Sequence, residues 1–319
     1  MAAEYHVRPA EPADVRAIVR MLRASLGPAM TEDLWRWKHE QSPFGPSPCL
    51  LAVAGSEIVA VRAFLRWEWV SGGRLVRAVR AVDTATHPAW RGRGIFSELT
   101  EELARQAAED GAAFVFNTPN SRSRPGYLRL GWRVVTRLPV WLRPAWPRRE
   151  PAASADVSEV LARHDVRRVL ATDVEDERYR TPRTAAYLDW RYARAPLWRF
   201  GAAWGERSDG AALVVFRIRP RGRWRELRLC ELLATPGPTG EEVAAGVLRR
   251  LLVTAGVHYA TALSAAGSPE RGILRRAGFL PLPPVGPYLT ARRLDPDPSL
   301  PDPGRWRSWR PSLGDLELF

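Results

Sequence analysis

The segment between Thr84 and Phe96, TATHPAWRGRGIF, holds the residues whose types and spacing could do chemistry. It reads as a strand end, a His-Pro turn, an Arg-Gly-Arg-Gly loop and the start of an amphipathic helix. A loop of this kind points several backbone N–H groups one way, at the positive end of a helix dipole. Phosphate and pyrophosphate suit such a cradle. Gly92 and Gly94 permit positive φ and a close backbone approach that a side chain would block. A phosphate-bearing co-substrate is therefore the first chemistry implied.

The elements that must hold this loop can be read on both sides of it. A strand is expected at 5–8, then a helix opened by Pro12-Ala13-Asp14 with Val15, Ile18, Val19 and Leu22 on one face. A Trp-rich helix follows at 31–40. Strands are expected at 50–54, 58–70 and 75–86, joined by Gly-containing turns. Beyond the loop, Ile95, Phe96, Leu99, Leu103 and Ala107 form the apolar stripe of a helix at 95–109, which Gly111 stops. A strand at 112–117, a short helix at 125–130 and a strand at 132–141 close the first half.

The second half repeats part of this order without the loop. Strands are expected at 213–218, 226–234 and 259–264, with helices at 241–254 and 269–277. GYLRLGW at 126–132 aligns with ILRRAGF at 273–279, a weak internal repeat. The reading is α/β (α+β), two similar domains, each with a central mixed, mostly antiparallel sheet flanked by helices. The expected division is 1–145, a Pro-rich linker at 146–160, a second domain at 161–294, and a Pro-rich extension at 295–319.

Composition narrows the class. With 319 residues, 45% of them hydrophobic, and 14 Trp, the chain can bury a substantial core. Its formal charge of +13 is carried by arginine, since Lys38 is the only lysine. Those arginines are scattered and form no long basic run, so nucleic acid is not the expected partner. Cys49 and Cys230 stand far apart, with no CxxC and no metal-ligand spacing, and no metal is expected. The N-terminus has no continuous apolar segment and no run of eighteen apolar residues occurs, which gives the expectation of a cytoplasmic protein with no membrane partner.

On these residues the chain resembles the GNAT superfamily of acyl-CoA-dependent N-acyltransferases, in a tandem form with a degenerate second domain. The match lies in HVRPAEPADVRAIV, THPAWRGRGIF and NSRSRPGYLRLGW. Arg91, Gly94 and Phe96 fall on the family's loop pattern, where Phe96 replaces a small residue. Asn120, Tyr127, Gly131 and Trp132 fit the closing pattern. The resemblance implies acetyl-CoA as co-substrate, with Arg91, Gly92, Arg93, Gly94, Ile95 and Phe96 around its pyrophosphate. It further implies that Thr84, Ala85 and Thr86 offer backbone hydrogen bonds to the pantetheine and thioester, that Asn120 touches the pantetheine, and that Tyr127 is the acid toward the departing sulfur. Such an acid must be protonated at neutral pH, as a phenol is. Leu274 stands where the second half would need that tyrosine, and PGPTG (236–240) replaces the Arg-Gly loop, so no CoA is expected there.

The general base is less defined. Asp83 lies on the strand beside the thioester position, where its carboxylate could take the amine proton. A salt bridge to Arg80 or Arg62 is the competing reading. Glu68 is a second candidate, and His87 reads as a turn residue before Pro88. Trp35, Trp37, Phe44, Trp67 and Trp69 could line an acceptor pocket or fill the core, and the aromatics of 187–200 read as the inner face of a helix. The expected activity is direct acetyl transfer to a primary amine of a small molecule, an amino sugar or another metabolite. A non-catalytic CoA-binding module is the alternative, and an arginine-rich nucleic-acid binder a more distant one.

Overall fold

The computed structural model describes residues 4–146, 155–163, 166–170 and 176–316. In chain order the elements are β1 (His6–Pro9), α1 (Val15–Leu26), α2 (Glu32–His39), β2 (Cys49–Ala54), β3 (Glu57–Ser71), β4 (Arg74–Thr86), α3 (Ile95–Glu109), β5 (Phe114–Asn117), α4 (Arg124–Arg129) and β6 (Arg133–Arg137). They continue with β7 (Val140–Pro144), β8 (Ala155–Asp156), α5 (Val157–Leu161), α6 (Val166–Leu170), α7 (Ala185–Leu188), β9 (Gly201–Arg207), β10 (Gly210–Arg221) and β11 (Trp224–Ala234). The last are α8 (Pro238–Thr254), β12 (Tyr259–Leu263), α9 (Pro269–Arg276), β13 (Leu280–Pro281) and β14 (Tyr288–Arg293).

The chain folds as two compact units. The first comprises Met1–Val70, Arg74–Thr136 and Tyr288–Arg305, and the second Ser71–Gly73, Arg137–Pro287 and Trp306–Phe319. Each is built on a mixed seven-stranded sheet flanked by helices, as the sequence led us to expect. The first sheet runs β1-β2-β3-β4-β5-β14-β6, and the second β13-β7-β12-β11-β10-β9-β8. The single strand expected at 132–141 is thus two strands in different sheets, because Leu138 and Pro139 interrupt the ladder. The C-terminal β14 returns to pair antiparallel with β5, Thr290 opposite Asn117. Division at one point near residue 145 is replaced by an exchange of strands. Residues 147–154 of the expected linker lie outside the described residues.

In the first unit α1 turns Val15, Ile18, Val19 and Leu22 inward. Arg8 grips Asp14 through two short bonds, Nη1–Oδ2 2.7 Å and Nη2–Oδ1 2.8 Å, which fixes the strand-to-helix turn. The stripe of α3, including Ile95, Leu99, Leu103, Ala104 and Ala107, packs with Leu50, Ala52, Phe64, Val79 and Val115 of the sheet. The parallel pairing of β4 with β5 covers only Ala78–Arg80 against Phe114–Phe116. Beyond Arg80 the two strands part, and the last residues of β4 have no partner on that side.

The second unit shows the same parting. β11 pairs with β12 only over Glu226–Arg228 against Tyr259–Thr261. Here the gap is furnished differently. Residues Leu229 to Ala234, Leu263 to Ala265 and Arg310 to Leu313 surround a cavity of about 130 Å³. The C-terminal extension lies against this gap and carries buried Trp309 and Leu316.

Candidate functional site

Three features of the first unit converge around the parting of β4 and β5. One is the loop. Gly92 (φ +78°) and Gly94 (φ +81°) both adopt the left-handed conformation, and nothing lies within 4 Å of a side chain built at either. The N–H groups of Gly92, Arg93 and Gly94 donate to no backbone acceptor. The first N–H groups of α3 have no intrahelical acceptor, as at any helix start. The loop is exposed. Arg91 Nε anchors it to the Thr86 carbonyl at 3.2 Å, and the Arg93 guanidinium covers the Trp90 ring at 4.5 Å. A row of unsatisfied donors at the positive end of a fifteen-residue helix fits a diphosphate.

The second feature is the end of β4. Thr84, Ala85 and Thr86 follow the last residue paired with β5, so their β5-facing backbone groups are free of that strand. Thr84 Oγ1 reaches Val61 O at 3.3 Å on the β3 side, and His87 N bonds Val59 O at 2.9 Å. His87 Nδ1 accepts from Ala89 N at 3.3 Å, the turn role expected for it.

The third is Tyr127 on α4, 3% exposed. Its ring meets Phe96 edge-on at 5.4 Å and Trp132 at 5.3 Å. Phe96, the residue that departs from the loop pattern, thereby links the start of α3 to the tyrosine. Gly126 makes room for that ring, because a Cβ there would stand 3.1 Å from Phe96 Cε1. Gly126→Ala is expected to displace the ring and cost about 1–3 kcal/mol of stability, an overpacking penalty. Denaturant unfolding checks this, and the added change Phe96→Leu should recover most of the loss.

Sequence reasoning missed the role of Arg62. It named this residue only as a partner for Asp83. Arg62 lies on β3, is 0% exposed, and makes no ion pair with Asp83. Its three guanidinium nitrogens have no hydrogen-bond partner among the described residues. Aromatic rings surround it instead: Phe64 at 5.0 Å, Tyr127 at 5.1 Å and Phe96 at 5.4 Å from the guanidinium carbon. A cation taken out of water without a counter-charge is costly, and cation–π contacts repay only part of that cost. The one signal in the sequence was an arginine inside the otherwise apolar run IVAVRAFL.

Asp83 is placed differently from either expectation. Its partners are neither Arg80 nor Arg62 but Lys38 Nζ at 3.0 Å and His39 Nε2 at 2.8 Å, both from the C-terminal end of α2. The Asp83 backbone is left-handed, with φ 36°, which Asp tolerates better than most residues. Burial by itself would raise its pKa. The positive charge of Lys38, then the hydrogen bond and charge of His39, outweigh burial and hold the carboxyl far below the usual carboxylate range.

The remaining sequence candidates separate. Asn120 Oδ1 accepts from Arg122 N at 3.0 Å and Ser123 N at 2.9 Å, so the side chain shapes the turn into α4. Glu68 lines a cleft of about 340 Å³ with Ala107 and Asp110, at the opposite end of α3 from the loop. Trp35, Trp37, Trp67 and Trp69 are core residues, at most 4% exposed. The aromatics Tyr187, Trp190 and Tyr192 are also buried, on α7 and a π-helical turn at Asp189–Ala193. In the second unit the position aligned with Tyr127 is buried Leu274, and the start of α8 carries Pro238, which has no N–H to offer.

Comparison with known proteins agrees with this geometry. No curated protein matches the sequence. A conserved protein of unknown function from Enterococcus faecalis V583 has a similar structure, with TM-score 0.67 and 15% identity over 91% of this chain and 73% of that one. A GCN5-related N-acetyltransferase from Anabaena variabilis superposes with TM-score 0.66 and 12% identity over 92% and 73% of the two chains. Another, from Kribbella flavida, gives TM-score 0.61 and 16% identity over 92% and 73%. At such identities these likenesses establish the fold. The model of the acetyltransferase (GNAT) domain matches residues 6–135, the segment that carries the loop, the end of β4 and Tyr127. Over residues 6–135 this chain therefore matches the GNAT acetyltransferase domain.

Proposed function

We propose that this protein is an N-acetyltransferase that moves an acetyl group from acetyl-CoA directly to a primary amine of a small molecule, an amino sugar or another metabolite, in a ternary complex. The observation that carries the reading is the meeting of the Arg91–Gly94 loop, the unpaired end of β4 and Tyr127 in one unit. Acetyl-CoA would supply the activated acyl carbon. Gly92 to Phe96 would hold its pyrophosphate by backbone N–H groups, and Thr84 to Thr86 would offer backbone bonds to the pantetheine and to the thioester oxygen.

The reaction balances with few parts. The amine nitrogen bonds to the acyl carbon, and the carbon–sulfur bond breaks with its electron pair going to sulfur. The Tyr127 hydroxyl, which donates to no acceptor among the described residues, hands its proton to that sulfur. The negative charge left on the phenol spreads into a ring whose face lies 5.1 Å from the Arg62 guanidinium. Arg62 is thus supplied with the counter-charge it lacks at the step where charge develops. The phenol regains a proton from solvent, and the proton that the nitrogen sheds on becoming an amide leaves to solvent.

For the amine proton, the ion pairs of Asp83 weigh against the sequence's first candidate. A carboxylate held this low is a weak proton acceptor. We assign Asp83 to holding Lys38 and His39 at the left-handed turn of β4, while the acceptor reaches the site as the free amine. It follows that kcat/KM rises with pH along the titration of the acceptor itself and has no limb in the carboxylate range. Two acceptors with different amine pKa values check this, since their limbs should shift in step with those values.

The direct test is thiol release from acetyl-CoA, screened against pooled amines, together with calorimetry of CoA binding. Release that depends on an amine supports the reading, and Tyr127→Phe should then lower kcat by about 10²-fold or more. CoA binding with no transfer across the panel would favour a non-catalytic CoA module. No CoA binding would remove the proposal altogether.

A further inference from the structure

The second unit carries a cluster of arginines for which the proposed reaction has no use. On β10 and β11, Arg217 stands opposite Arg228 and Arg219 opposite Glu226. Residues directly opposite in an antiparallel ladder share a face, and so do residues two apart on one strand. Arg217, Arg219, Arg228 and Glu226 therefore lie together. The other face of the same strands carries Phe216, Ile218, Leu227 and Leu229, which belong to the core under α8. Thr261 joins from β12, in register with Arg228.

The charges on this face do not balance. Among the described residues Glu226 is its only carboxylate, and its oxygens are engaged by Arg228 Nε at 3.0 Å, Arg221 Nε at 3.1 Å and Thr261 Oγ1 at 2.7 Å. Among the described residues Arg217 and Arg219 find no ion pair and no side-chain hydrogen bond. Arg217 Nη1 is buried with no partner, and the guanidinium lies 5.5 Å from the centre of the Trp198 ring. Like charges placed opposite each other destabilise a sheet. The electrostatic stress also shows in acidity: burial, then the charge of Arg219, pushes the Arg217 guanidinium down to about 10. Burial, then Arg228 and Arg221, lowers that of Arg219 as well.

We propose that this face is a binding site for a phosphorylated small molecule, its phosphoryl oxygens held by Arg217, Arg219 and Arg228 beside Trp198. The three arginines sit at strand positions about 5–8 Å apart, close enough for their forks to converge on one phosphate or diphosphate. Guanidinium suits that task because its planar donors match phosphoryl oxygens in pairs. Burial of Arg217 Nη1 and the Trp198 wall favour a compact anion over an extended polymer backbone. Glu226 keeps Arg228 oriented. The bound anion would supply the missing negative charge, which makes the face complete only when loaded.

Inorganic pyrophosphate is the probe, titrated calorimetrically into the full chain and into Arg217→Met/Arg219→Met. The loop of the first unit is common to both proteins, so the difference between them reports this face alone. The double variant should bind at least tenfold more weakly at this site. Pyrophosphate should raise the melting temperature of the native protein by more than that of the variant. Without the anion, the variant should melt at or above the native temperature, because like-charge repulsion has been removed. Arg219→Gln, at a half-exposed position, gives a second reading should the double variant fold poorly, and it too should weaken binding several-fold. Equal pyrophosphate affinity in native and variant proteins would overturn the proposal. So would a single-stranded oligonucleotide that binds this face more tightly than pyrophosphate and with a steep salt dependence.

Discussion

Arg62→Met is expected to raise the melting temperature of the first unit and to lower acetyl-transfer turnover in the same protein. The two effects have one cause. Arg62 is 0% exposed and its guanidinium has no hydrogen-bond partner among the described residues, so in the resting fold its charge is mostly a desolvation cost. Replacing buried charge with an apolar side chain of similar length is often neutral, or stabilising by about 1–4 kcal/mol. In the proposed reaction the same charge faces the Tyr127 ring, 5.1 Å away, as the phenol gives up its proton. Removing a pre-positioned charge from such a step costs roughly 10²-fold in kcat. The loss should fall on kcat with little change in the KM for acetyl-CoA, and Arg62→Lys should recover part of it. Thermal melts and steady-state kinetics on one preparation decide the matter. A lower melting temperature would make Arg62 a structural residue, and unchanged kcat would show that its charge is not felt at Tyr127. A structural protein tunes such a residue away, whereas an enzyme keeps it at the expense of stability.

The largest expected loss of stability lies in the second unit. Arg183 sits between two carboxylates whose side chains are almost fully buried, with Nε 2.7 Å from Glu231 and Nη2 3.0 Å from Asp315. Tyr192 donates to Glu231 at 2.6 Å, and Ser312 Oγ donates to the same oxygen at 2.9 Å. Arg183→Met removes the cation that bridges these two buried acids. Breaking a buried ion pair from one side costs about 3–5 kcal/mol. The pH dependence has a definite sign. Burial already raises the Glu231 pKa, and Arg183 opposes that rise. Without Arg183 the folded variant must hold a proton that the unfolded chain releases, so its stability falls as pH rises through the carboxylate range. Chemical denaturation at two pH values, one below and one above that range, measures it. The double change Arg183→Met/Asp315→Asn should regain part of the loss at high pH.

This network also bears on why the second unit lacks the equipment of the first. Its β11–β12 gap is lined by Glu231, Arg183 and the C-terminal residues Arg310 to Leu313. A side chain at Gly314 would collide with the Tyr192 hydroxyl, so the segment is fitted closely into place. At the helix start, a Cβ on Gly240 would collide with the Thr235 carbonyl oxygen. In the first unit a Cβ built at Gly92 or Gly94 of the corresponding loop would meet nothing within 4 Å. The same parting of strands is thus an entry in one unit and a packed joint in the other.

The sequence by itself determined whatever depends on neighbours a few residues apart. The α3 stripe from Ile95, the left-handed glycines of the loop and the helix carrying Tyr127 all followed from local periodicity and turn chemistry. α3 even begins and ends where the spacing placed it, at Ile95–Glu109. Tertiary structure alone decided what depends on residues far apart. It paired Asp83 with Lys38 and His39, forty-odd positions upstream, and not with the arginines beside it in the sheet. It closed three aromatic rings around Arg62, brought β14 between β5 and β6, and crowded Arg217, Arg219 and Arg228 onto one face. Helix stripes and turns are fixed by backbone sterics and the helical period, which any short window of residues contains. Partners for a buried charge are chosen by strand order and register, and no short window contains those.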